Sequence, residues 1–180
     1  MNTMSFRFAG FGGQGVLLMG MMLTYAGMEE GKHVTWLPSY GAEMRGGTAN
    51  CTVVVSDDEV ASPVAESPDV VVVMNEPSLE KFEPLVRPGG WLFINSSLVK
   101  KAVKRTDVQV VSIDATNIAY ELKNARTANM VMLGAVVGRT GTVQLSVVES
   151  SLLPVLGTSK KALVEINIQA LRRGREIAKG

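Results

Sequence analysis

The sequence is poor in the residues that usually carry chemistry. It has a single cysteine, Cys51, in 180 residues. One thiol cannot form a disulfide within the chain, and it cannot hold an iron–sulfur cluster, which takes about four cysteines. A single thiol in an apolar, alternating stretch reads as buried and inert, and the absence of disulfides points to a reducing compartment. There is also one histidine, His33, with no cysteine or second histidine near it, so no metal-ligand set is apparent. Charged residues make up 19% and the net charge is +1, which gives no support to nucleic-acid binding. The basic runs at 100–105 and 172–179 read as solvated helix faces. The first residues, Met1-Asn2-Thr3-Met4-Ser5-Phe6-Arg7, lack the basic start and apolar run of a signal peptide. No apolar stretch approaches the roughly 20 residues of a membrane span. The expectation is a cytoplasmic protein, with no nucleic acid and no membrane as partner.

Hydrophobic residues account for 46%, a globular composition. A chain of this length suits one domain, 1–180, and can bury roughly 70% of its unfolded surface. A surface short of charge carries a mild expectation of a protein partner.

Strand and helix signals alternate along the chain. Residues 6–9 form a short apolar run that ends in glycines, the pattern of a first strand. A strongly apolar helix is expected over 14–30, stopped by Gly31. Further strands are expected at 33–37, 50–56, 69–74, 91–95 and 108–113; the valine run at 70–73 is the signature of a strand covered on both faces. Helices are expected at 76–85, 115–122 with Asp114 as cap, 127–138, 146–156 with Ser146 and Glu149 as a capping box, and 160–179. Such alternation predicts a Rossmann-like three-layer α/β/α sandwich with a mostly parallel sheet. In that arrangement the two glycine-rich loops, at 10–15 and 38–47, follow strand ends and fall on one edge of the sheet.

The first loop, Gly10-Phe11-Gly12-Gly13-Gln14-Gly15, matches G-x-G-x-x-G between a strand and a helix. Glycines permit a tight turn and close backbone approach, and the helix start offers free N–H groups and the positive dipole end to a phosphate or carboxylate. The dinucleotide fingerprint also needs an acid about 20 residues on, to hold the ribose hydroxyls. The second strand instead ends in Trp36-Leu37-Pro38-Ser39, with no acid and no arginine for a second phosphate. Two readings stay open for Gly10, Gly12, Gly13, Gln14 and Gly15: close helix–strand packing with a protein contact, or contact with another anion.

The second loop contains Ser39, Tyr40, Gly41, Glu43, Met44, Arg45, Gly46 and Gly47. Tyrosine and arginine are common interface anchors. Alternate residues of an extended segment point opposite ways, so Glu43 and Arg45 are free to seek partners elsewhere. These residues are candidates for a partner interface, with an apolar patch around Tyr40 and Met44. Hydrolytic machinery is absent: no G-x-S-x-G elbow, no P-loop and no paired carboxylates stand out, and a triad would have to use His33 inside a strand. No catalytic residue and no metal site is assigned.

Taken together, Phe8-Ala9-Gly10-Phe11-Gly12-Gly13-Gln14-Gly15-Val16 and Pro38-Ser39-Tyr40-Gly41-Ala42-Glu43-Met44-Arg45-Gly46-Gly47 resemble the gamma subunit, or the equivalent fused domain, of 2-oxoacid:ferredoxin oxidoreductases (the pyruvate/ketoisovalerate oxidoreductase gamma-domain family). The resemblance runs over nearly the whole chain, including residues 69–74, 87–95 and 129–134, and is greatest to the 2-oxoglutarate or general ketoacid kind. It implies a non-redox subunit of a complex that decarboxylates a 2-oxoacid on thiamine diphosphate and Mg, passes electrons through iron–sulfur clusters to ferredoxin, and yields an acyl-CoA. It also implies alpha, beta and delta subunits as partners, with the cofactors held by them and none by this chain. The chain has no G-D-G thiamine–magnesium motif, in keeping with that division. The alternative from the residues alone is a stand-alone Rossmann-like protein that binds a nucleotide or other anion through the first loop.

Overall fold

A computed structural model describes residues 3–39, 48–60 and 62–179. Its elements run β1 (Thr3–Phe11), α1 (Val16–Glu29), β2 (His33–Ser39), β3 (Thr48–Ser56), β4 (Val70–Val73), α2 (Glu76–Phe82), β5 (Trp91–Asn95), β6 (Gln109–Ile113), α3 (Ala115–Glu121), α4 (Ala128–Thr140), α5 (Leu145–Leu156) and α6 (Val164–Lys179). Short 3₁₀ turns follow α2 and precede α4 and α6.

One six-stranded sheet has the order β2-β3-β1-β4-β5-β6. β1, β4, β5 and β6 pair in parallel, while β3 is antiparallel to both β1 and β2. β2 therefore runs with β1, and β3 alone is reversed. This is the mostly parallel α/β sheet expected, with one change. A parallel return from β2 needs a crossover of a dozen or more residues, and only residues 40–47 lie between β2 and β3. The short connection forces the antiparallel return.

Alternation along the strands splits the core into two layers. Phe6 and Phe8 of β1, Val53 and Val55 of β3, Val70 and Val72 of β4 and Phe93 of β5 face α1, α4 and α6 in the larger cluster. Ala9, Val71, Val73, Leu92 and Ile94 face the other way, onto Leu79 and Phe82 of α2 with Val86 and Val99. The β4 valines are buried on both faces, as their unbroken run requires. α4 lies buried between the sheet and α6. α4 and α6 approach so closely that a methyl group on Gly134 would overlap the Leu171 carbonyl, and one on Gly174 the Val131 carbonyl.

Three local expectations give way to tertiary partners. The α3 N-terminus is not capped by Asp114. The Ser97 hydroxyl oxygen instead accepts the Thr116 and Asn117 N–H groups, at 3.0 and 3.3 Å, and donates to the Asp114 carboxylate. The Ser146–Glu149 capping box does not form, because α5 starts one residue earlier with Gln144 as its cap. The Gln144 N–H goes to Glu30 at the end of α1, and Glu149 pairs with Arg172 at 2.8 Å. The last helix begins at Val164 rather than 160; residues before it wind as a 3₁₀ turn with Lys160 outside helical geometry. Its buried stripe is Ala170, Leu171, Gly174 and Ala178, in which Gly174 admits the α4 backbone.

Candidate functional site

The carboxyl ends of β1, β2, β4, β5 and β6 share one edge of the sheet, where ligand sites of α/β sheets lie. The first glycine loop is there. Gly10 and Phe11 close β1, Gly12 and Gly13 form the turn, and Gly15 is the α1 N-cap with φ +73°. The side chain of Gln14 folds back under this turn. Its Oε1 accepts the Phe11 N–H at 2.7 Å and the Asn75 Nδ2 at 3.0 Å, and its Nε2 donates to the Met74 carbonyl at 3.2 Å. The Gln14 N–H returns a bond to the Phe11 carbonyl at 3.1 Å. Asn75, itself buried, caps α2 through the Ser78 N–H.

The glycines do different jobs. A methyl group on Gly10 would sit 2.7 Å from Gln14 Oε1 and 2.9 Å from Val16 Cγ1, so Gly10 lets strand, loop and helix close on one another. Gly15 lies against Asn129 of α4, whose Nδ2 donates to the Gly15 carbonyl at 3.3 Å, and any side chain there would overlap Asn129. Gly12 and Gly13 are exposed, and a Cβ on Gly13, at φ +92°, would meet open space. Their N–H groups meet no acceptor among the described residues. Only the tip, Gly12-Gly13, is therefore available for close approach. A Gly15→Asp change would disturb α4 packing whether or not an anion binds at the loop.

Beside the tip lies a shallow cavity of about 230 Å³, lined by Gly13, Gln14, Leu98, Thr116, Tyr120, Arg126 and Asn129. Arg126 is exposed, and it is in no ion pair among the described residues. Phe11, Leu98 and Tyr120 rim this edge at 37%, 45% and 64% exposure, which makes the rim apolar. Asn75, Thr116, Tyr120 and Arg126 are residues that sequence reasoning did not single out; Asn75 alone carried a signal, its position just beyond the predicted strand 69–74. A larger concavity, about 690 Å³, is elsewhere, between α2 and residues 101–105. There the buried Glu83 carboxylate accepts the Lys104 and Arg105 N–H groups and Lys101 pairs with Glu80, so the basic run is tied to acids of the fold.

Of the second loop, Ser39 ends β2, exposed, at the same sheet edge. Tyr40, Gly41, Glu43, Met44, Arg45, Gly46 and Gly47 lie outside the described residues, as does the apolar patch expected around Tyr40 and Met44. The end of β2 is separated from β1 by β3. An acid there would stand a strand spacing of about 5 Å farther from the glycine loop than in a dinucleotide site, and none is present.

Cys51 is fully buried on β3. Its thiol donates to the Val16 carbonyl at 3.5 Å, and burial pushes its pKa up to about 11. It has the character of a small core residue. His33 is exposed on β2. Among the described residues no three His, Cys, Asp or Glu side chains converge as metal ligands, and no helix is long and apolar enough to cross a membrane.

Residues 5–177 match the family model described as pyruvate ferredoxin/flavodoxin oxidoreductase. The chain is 39% identical over 175 residues to ketoisovalerate oxidoreductase subunit VorA of Methanothermobacter thermautotrophicus, covering 96% of this chain and 36% of that one. It is 34% identical to 2-oxoglutarate synthase subunit KorC of Methanocaldococcus jannaschii, over 96% of this chain and 92% of KorC. The crystal structure of a keto/oxoacid ferredoxin oxidoreductase gamma subunit from Geobacter sulfurreducens superposes with a TM-score of 0.85 at 30% identity, covering 98% of both chains. This chain thus spans about a third of VorA and nearly all of KorC. It belongs to the pyruvate ferredoxin/flavodoxin oxidoreductase family, over the domain that is a separate gamma subunit in some relatives and part of a longer chain in others.

Proposed function

We propose that this chain, as a single gamma-type domain over 1–180, is the non-redox subunit of a cytoplasmic, thiamine-dependent 2-oxoacid:ferredoxin oxidoreductase, with 2-oxoglutarate as substrate. The observation that carries this reading is the family match across nearly the whole chain, together with a cysteine count too low to ligate an iron–sulfur cluster. One buried thiol with a pKa near 11 offers no cluster ligation, and no converging carboxylates or imidazoles are present among the described residues. Thiamine diphosphate, Mg and the iron–sulfur clusters belong, in this reading, to alpha, beta and delta companion chains, which pass electrons to ferredoxin.

The role of this chain is to complete the assembly at its glycine-loop edge. The apolar rim of Phe11, Leu98 and Tyr120 supplies surface for a companion chain, and Ser39, Tyr40, Gly41, Glu43, Met44, Arg45, Gly46 and Gly47 are proposed as further interface residues. The Gly12-Gly13 tip, at the positive end of α1, offers N–H groups to an anion. A CoA phosphate is the anion that the proposed reaction brings, and the exposed Arg126 guanidinium is near enough to the same cavity to share it. The missing acid at the end of β2, and the strand that separates β2 from the loop, weigh against a stand-alone dinucleotide protein.

The test is affinity purification of the tagged chain under anaerobic conditions. The eluate is assayed for 2-oxoacid- and CoA-dependent reduction of a viologen dye. Co-purifying thiamine and iron–sulfur subunits with that activity are expected, and a panel of 2-oxoacids identifies the substrate. A chain recovered alone and inactive would overturn the assignment.

A further inference from the structure

The glycine tip is useful to a ligand only if it is held out from the sheet. Nothing in Gly12-Gly13 itself does this, because two glycines in succession have little conformational preference. The restraint comes from Gln14. Its amide meets three partners, and their roles fix its orientation. The Phe11 N–H can only donate and the Met74 carbonyl can only accept, so Oε1 faces Phe11 and Nε2 faces Met74. Asn75 is oriented in turn by the Ser78 N–H on its Oδ1, which turns its Nδ2 toward Gln14 Oε1. With the return bond from the Gln14 N–H to the Phe11 carbonyl, the loop closes as a ring. That ring is anchored on the end of β4 and on the α2 cap. Glutamate would lose the donor to Met74, methionine would lose all three side-chain bonds, and asparagine is one methylene too short for the same reach.

We infer that Gln14 is the positioning residue of this loop, holding the Gly12-Gly13 tip in the one geometry that presents its N–H groups to CoA. The inference rests on the proposed role of the loop in CoA binding.

Two variants of the full chain, Gln14→Met and Gln14→Glu, test it, alone and in the complex with the companion chains. Hydrogen exchange of the Phe11 amide reads the ring directly. In Gln14→Met it should accelerate by roughly tenfold or more, while amides of β1 and β4 below the loop keep their protection. In Gln14→Glu, whose carboxylate still accepts from Phe11 and Asn75, protection should return. In the complex, Gln14→Met should raise the KM for CoA severalfold with kcat little changed, a split that a general loss of stability does not produce. Should Gln14→Met fail to fold, Gln14→Asn, polar but one methylene too short for the same reach, gives up the same bonds, and the same readings apply. Unchanged Phe11 exchange in Gln14→Met, or lost protection with an unchanged KM, overturns the inference. A wild-type chain that assembles with no oxidoreductase chains would instead sink the reading on which it rests and leave the exchange result standing.

Discussion

At the scale of single residues, function follows from what surrounds each side chain. Cys51 is the case where chemistry is withheld. Burial holds its thiol protonated to about 11, against 9.0 for a free thiol. At pH 8 the native protein should therefore resist a thiol reagent such as dithiobis(nitrobenzoate), and react fully once unfolded; rapid labelling of the folded chain would show an accessible thiolate. The sign for stability follows. Between about 9 and 11 the folded thiol keeps a proton that the unfolded one has released, so raising pH through that window favours unfolding. Gly10 and Gly15 show the opposite lesson. They look alike in the motif, yet both are spent on packing, and only Gly12 and Gly13 face outward.

At the scale of elements, the close pair α4 and α6 is the most exacting contact. Gly134 and Gly174 admit the other helix backbone to a distance that no side chain tolerates. Gly174→Val should cost about 3 kcal/mol, because the helices must separate and open the layer over β5 and β6. For a chain of this size that is a fall in melting temperature of roughly 6–12 °C, measurable by calorimetry; a loss under about 1 kcal/mol would mean that the helices separate without penalty. Helix ends tell a related story. Ser97 caps α3 from a different segment, and Glu30 serves the start of α5 from the end of α1. A nearby polar residue such as Asp114 or Ser146 was legible in the sequence as a cap, but the group that fills the role was not.

At the scale of the whole molecule, the reversed β3 decides what kind of α/β protein this is. It inserts between β1 and β2, so the strand beside the glycine loop begins at Thr48 rather than ending in a ribose-binding acid. Titration of the full chain with NAD or an adenine nucleotide at millimolar concentration should accordingly produce no binding heat. A micromolar Kd would restore the nucleotide reading. In relatives such as VorA the matching domain is about a third of a longer chain. The same domain thus occurs within a longer chain elsewhere in the family.

The sequence by itself determined the alternating elements, because each strand and helix is written in local hydrophobic period and bounded by glycine, proline or polar turns. It also set the limits on chemistry, since one cysteine and one histidine cannot be multiplied by folding. Tertiary structure alone decided which groups accept from the N–H groups at the starts of α3 and α5, and the ring that Gln14 makes with Phe11, Met74 and Asn75. Those depend on residues well apart in sequence: 19 and 20 positions for Ser97 with Thr116 and Asn117, 60 and 61 for Gln14 with Met74 and Asn75, and 114 for Glu30 with Gln144. The short 40–47 connection did carry the β3 reversal in principle. It becomes visible once the reach of a parallel crossover is set against the number of residues available to make it.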